Sequence, residues 1–176
     1  MEPPIAVRGN TIQEIYVERG LLNTLFTDKT PTDLFRFFET ANSSDPNLLM
    51  YPVLERYLLP NQKYRGPDVD RRIIGGEAYI FPKFKMGLSL ADGPRKFNRS
   101  GEYWVVPGGT TIPSGLAISV DTKNEIDGYT HHTVHPCFVM VELHFLFLLR
   151  RFGSHAIRMN DWKRLYPSQA KEKNYP

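Results

Sequence analysis

Tyr103-Trp104-Val105-Val106-Pro107-Gly108-Gly109 opens the part of the chain that decides its class. Four residues rich in β-formers stop at a proline, and a glycine pair supplies a turn. Leu116 to Val120 reads as the next strand, Asp121 to Gly128 as a polar turn, and Tyr129 to His135 as a third strand closed by Pro136. Working outward, Phe138 to Arg151 suits a buried helix, capped by Gly153. A second short helix is expected over His155 to Leu165, and a frayed tail after Pro167. Upstream, Leu34-Phe35-Arg36-Phe37-Phe38 is a compact aromatic run expected to form a central strand. Pro46 to Leu59 reads as helix, Asn61 to Met86 as mostly loop, and Ile12 to Phe26 fits either strand or helix. The 14 prolines and 13 glycines break the chain into short elements, which points to an α+β fold.

With 176 residues, 41% hydrophobic and 23% charged, the chain is expected to be one globular domain with no need of a disulfide or metal staple. Its single cysteine, Cys137, cannot form an internal bridge. The net charge of +3 gives weak support for a polyanionic partner. The N-terminus lacks the shape of a signal peptide, and the longest apolar run, Cys137 to Leu149, is interrupted by Glu142 and His144. A cytoplasmic protein without a membrane anchor is therefore expected.

Several residues carry chemistry. In Thr130-His131-His132-Thr133-Val134-His135-Pro136, strand alternation places His131, Thr133 and His135 on one face and His132 and Val134 on the other. A metal site is disfavoured, because no second ligand cluster or nearby carboxylate is evident. Two-histidine phosphoesterase chemistry needs a second copy of the His-x-Thr-x pattern, which the chain lacks. Arg36, charged within an apolar strand, either pairs with a carboxylate or phosphate or snorkels at the sheet's edge. Arg65 lies in an Arg-Gly-Pro-Asp loop. Gly87-Leu88-Ser89 is not a nucleophile elbow, and the glycines form neither a P-loop nor a dinucleotide fingerprint. Glu142 is a carboxylate within the apolar helix, either functional or paired at the helix edge.

Three stretches together resemble a known family. Val106-Pro107-Gly108-Gly109-Thr110-Thr111-Ile112-Pro113-Ser114-Gly115-Leu116, Thr130 to Pro136 and Gly87-Leu88-Ser89 are similar to signatures of the type VI secretion exported effector two toxins. Leu34-Phe35-Arg36 and Arg65-Gly66-Pro67-Asp68 add weaker matches, and the likeness runs from about residue 32 to 158. Residues 1–31 would be an N-terminal extension. The resemblance implies an ADP-ribosyltransferase-like fold, with two small packed β-sheets around an NAD cleft and flanking helices. It implies a toxin that transfers ADP-ribose from NAD, its substrate, to an unknown protein or nucleic-acid acceptor, with an immunity protein as a further partner. By that pattern Arg36, Ser89 and His131 are the catalytic positions, and Arg65, Gly87 and Thr130 contact NAD. Tyr103 or Tyr129 would stack on nicotinamide. Leu88 stands where the family often has threonine, and the usual transferase glutamate has no clear counterpart, Glu142 being one candidate. An NAD glycohydrolase, a catalytically degenerate binding module on the same fold and an RNA-end-processing enzyme remain as alternatives.

Overall fold

A computed structural model describes residues 8–39, 49–94, 101–126 and 128–173. The first helix, α1 (Ile12–Glu18), starts at a capping box: Glu14 N–H donates to Thr11 Oγ1, and Thr11 N–H to the Glu14 carboxylate. Its apolar residues Ile12, Ile15 and Tyr16 fall on one buried face. The strands that follow are β1 (Leu25–Phe26), β2 (Leu34–Glu39), β3 (Tyr57–Leu58), β4 (Tyr64–Arg65), β5 (Asp70–Ile74), β6 (Glu77–Phe81), β7 (Leu88–Ala91), β8 (Gly101–Val106), β9 (Leu116–Lys123), β10 (Thr130–Pro136) and β11 (Met140–Val141). Helix α2 (Glu142–Gly153), strand β12 (Ile157–Arg158), and helices α3 (Met159–Leu165) and α4 (Pro167–Glu172) follow.

Seven strands form one sheet in the order β1-β9-β10-β7-β2-β8-β12, β11-β6-β5 form a second, and β3-β4 a hairpin. Every pairing among the described residues is antiparallel. The class is thus α+β, as the punctuation of the sequence indicates. Alternation along the strands divides the large sheet into two faces. One carries Leu34, Phe38, Leu88, Leu90, Leu116, Ile118 and Val134, which pack with Phe145, Leu148, Leu149 and Phe152 of α2 into the main core. Each such side chain contributes about 1.5–3 kcal/mol by leaving water.

The opposite face is covered at its two ends. At one end α1 sets Ile12, Ile15 and Tyr16 against Ala117. At the other, Phe35 and Val105 pack on Trp162 of α3, with Tyr166 and Ala170 beside them. Between these covers the sheet presents polar side chains.

Several sequence expectations change here. Residues 49–59 are not helical (46–48 lie outside the described residues): the carbonyls of Leu49 and Tyr51 accept from Arg36, and Val53 exchanges backbone and carboxylate bonds with Asp68. Those groups are therefore unavailable to a helical ladder. The supposed loop 61–86 contains the β5–β6 hairpin, turned by Gly75-Gly76 at φ 60° and 83°. Two successive positive φ values suit a two-residue hairpin turn. The turn after β9 begins later than Asp121, because Asp121 to Lys123 continue the strand. Helix α2 begins at Glu142 rather than Phe138, since Met140 and Val141 first pair with β6. Ile157 and Arg158 are an edge strand on β8 rather than helix. The tail is ordered as α4, with Pro167 in its first turn and Lys173 Nζ donating to the Asp92 carbonyl. Residues expected to lie in an N-terminal extension supply α1 and the edge strand β1.

Candidate functional site

Three neighbouring strands, β2, β7 and β10, carry the three residues singled out as catalytic. Strands β2 and β7 pair at Phe35 and Ala91, and Ala91 pairs in turn with His131 on β10. Arg36 bridges β2 and β7. Its Nε donates to the Leu49 carbonyl (2.8 Å), its Nη1 to that of Ser89 (2.8 Å) and its Nη2 to that of Tyr51 (3.3 Å). Burial lowers its pKa to about 10, partly opposed by Asp68, so it remains a cation at neutral pH. Arg36 alternates with Leu34 and Phe38 and so belongs to the α2 face, whereas Ser89 and His131 belong to the other. The two sequence readings of Arg36, anion ligand or snorkelling edge residue, give way to a fork set mainly on main-chain carbonyls.

Ser89 is exposed and pairs across the strands with Thr133, which pairs on its other side with Ser119. This hydroxyl row lies between α1 and the C-terminal helices, with Ser119 and Thr133 buried and Ser89 exposed. Asp121 lies at its centre. Its Oδ2 accepts from Thr133 Oγ1 (2.6 Å) and His131 Nδ1 (2.7 Å), and its Oδ1 accepts from Ser119 Oγ (2.7 Å). Burial works against the ionised form, but the bonds from His131, Thr133 and Ser119 outweigh it and hold the pKa below the ordinary carboxylate value. Asp121 is only 6% exposed, whereas His131 is 40% exposed. Beside it lies a cleft of about 220 Å³ lined by Ala91, Thr122, Asn124, Tyr129 and His131.

The network continues inward. His135 is fully buried, and its Nδ1 donates to the Met86 carbonyl (2.8 Å). Its Nε2 faces the hydroxyls of Ser119 (2.8 Å) and Tyr16 (3.2 Å). Burial lowers the His135 pKa to about 4, so the ring is neutral and Nε2 is an acceptor. His132, on the other face, bonds the Thr130 carbonyl (3.1 Å), and burial lowers its pKa too. The histidine strand therefore splits between the faces as alternation predicts.

The remaining sequence candidates are placed as follows. Thr130 N–H donates to Asp92 Oδ1 (2.8 Å), which ties β10 to the end of β7. Gly87 is a close-approach glycine: a Cβ there would lie 2.1 Å from the Val134 carbonyl oxygen. Arg65 ends the β3–β4 hairpin and pairs with Asp68 (2.6 Å). Glu142 pairs with Arg71, which also holds Glu55, so this carboxylate serves the junction of α2 with the small sheet. Tyr129 reaches the cleft, while Tyr103 packs on Phe35 and Phe37. Among the described residues no three His, Cys, Asp or Glu side chains converge as metal ligands, and burial pushes the Cys137 thiol up to about 11. Among them, too, no helix is long and apolar enough to cross a membrane.

Sequence reasoning missed Asp121, Ser119 and Tyr16. The signal was parity: Ser119 and Asp121 stand two apart at the end of a strand, facing His131, Thr133 and His135, also spaced by two. Reading Asp121 as the start of a turn hid it. Comparison of the chain with protein-family models and with curated proteins finds no match.

Proposed function

We propose that this chain is an NAD-dependent ADP-ribosyltransferase-like toxin domain, which breaks the nicotinamide–ribose bond and passes ADP-ribose to an acceptor. The observation that carries the reading is that Ser89 and His131 share one face of neighbouring strands, with Arg36 fixing the Ser89 strand from behind. Arg36, Ser89 and His131, picked from three separate stretches, lie on three consecutive strands, with Arg36 bonded to the Ser89 carbonyl and Ala91 linking the rows of Phe35 and His131. The transition state of this reaction is oxocarbenium-like and is stabilised by fixed dipoles and carboxylates. In this proposal Ser89 and His131 contact the nicotinamide ribose and Tyr129 stacks on the ring. Arg36, on the opposite face, holds the strands in place through main-chain carbonyls, and Arg65 is proposed to take the pyrophosphate. The Asp121 carboxylate is the negative charge nearest His131. Acceptor identity, toxicity and an immunity partner belong to the same proposal.

The test is chromatographic detection of nicotinamide released from NAD by the intact protein, with and without a cell-extract acceptor. Release that needs the acceptor supports transfer, and release without it makes the chain a glycohydrolase. A folded protein that neither releases nicotinamide nor binds NAD overturns the proposal. One observation favours a catalytically degenerate NAD- or partner-binding module instead: Glu142, the candidate for the transferase glutamate, is held by Arg71. NAD binding without turnover would select that reading.

A further inference from the structure

We propose that Asp121 and His131 form an acid–base pair in which Asp121 positions the ring and His131 Nε2 takes the proton from a hydroxyl group, of water or an acceptor molecule, bound in the adjoining cleft. The proposal rests on the ADP-ribosyl reading only for the bond that the hydroxyl attacks.

The geometry has the parts such a pair needs. The carboxylate is buried at 6% exposure and held by two hydroxyls besides the histidine, so its orientation is set independently of His131. It bonds His131 at Nδ1, which assigns the ring proton to that nitrogen and leaves the Nε2 lone pair open. No described residue bonds Nε2, and the ring lines the cleft with Thr122, Asn124 and Tyr129. The hydroxyl row also gives Asp121 a reason to stay ionised, since its oxygens accept three bonds. A hydroxyl is the matching nucleophile, because it must lose its proton as it attacks, and the Asp121 carboxylate stabilises the imidazolium formed.

In the reaction the acceptor O–H gives its proton to His131 Nε2, and its oxygen forms a bond to the ribose anomeric carbon. The bond from that carbon to the nicotinamide nitrogen breaks, with its electron pair leaving on nicotinamide. His131 then releases the proton to solvent. Products are the O-linked ADP-ribosyl compound, neutral nicotinamide and one proton, which balances against NAD and the hydroxyl.

The test reads nucleophilicity at Nε2 without requiring turnover. Diethyl pyrocarbonate is added to the intact protein, and acylation of the five histidines is followed by peptide mass spectrometry. His131 should react about tenfold faster than the more exposed His144. Asp121→Asn should bring it down to the His144 rate. Reaction no faster than at His144, or equally fast in both proteins, overturns the pair. If Asp121→Asn does not fold, nitrogen NMR of the unaltered protein decides: an Nδ1–H ring at His131 is expected, and an Nε2–H ring overturns the proposal. Saturating NAD should protect His131. Activation without protection keeps the pair and removes the NAD reading.

Discussion

His135 makes the stability of this protein depend on pH over a defined window. In the fold its ring is neutral, with a pKa lowered to about 4 by burial, whereas in the unfolded chain it returns to its ordinary 6.5. Between those values the unfolded chain holds more protons than the folded one, so stability falls as pH falls. Applying the linkage relation from pH 7.5 to pH 5 gives a loss of about 2 kcal/mol from this residue alone. For a chain of this size that is about 4–8 °C in Tm. His132, whose pKa is also lowered by burial, acts in the same direction, while the depressed pKa of Asp121 acts only at more acid pH. His135→Asn removes the titration, and its amide nitrogen can still donate to the Met86 carbonyl that His135 Nδ1 serves. The variant should be less stable at pH 7.5, because the Tyr16 hydroxyl loses its acceptor, yet its stability should fall about 2 kcal/mol less on acidification. Urea unfolding at the two pH values measures both slopes. Parallel losses in the two proteins would refute the reasoning.

Three further perturbations test the architecture. Leu149→Ala removes a fully buried side chain from the main core and should cost about 2–5 kcal/mol in denaturant unfolding. Gly87→Ala drives a Cβ against the Val134 carbonyl and should cost about 1–3 kcal/mol, seen as a lower Tm, because strand backbone must move apart. Arg36→Lys keeps the charge but cannot serve the carbonyls of Leu49, Ser89 and Tyr51 together. It should lower stability by about 1–3 kcal/mol, whereas an unchanged melting curve would remove Arg36 from its bridging role.

The strands at 103–106, 116–120 and 129–135 were legible because β-branched and aromatic runs ended at Pro107, the glycines and Pro136. The β5–β6 hairpin was not, because Asp-Arg-Arg-Ile-Ile carries its charge on a strand exposed at Arg72 and Ile73, and only Gly75-Gly76 marked the turn. Residues 49–59 misled because their leucines suit a helix, whereas Arg36, contributed by a distant strand, claims the carbonyls that a helix would use. That is a tertiary effect outside the reach of local propensity. The candidate site was half legible. Alternation correctly grouped His131, Thr133 and His135, but the carboxylate joining them comes from the neighbouring strand, in a register that a single sequence does not state.

The most direct test of the NAD assignment is a calorimetric titration of NAD into the intact protein, Ser89→Trp and His131→Ala. Ser89 is exposed and His131 half-exposed, so neither change empties the core. The account predicts binding by the unaltered chain that Ser89→Trp blocks and His131→Ala weakens. Folded protein without NAD binding, or binding that both variants leave intact, would contradict it.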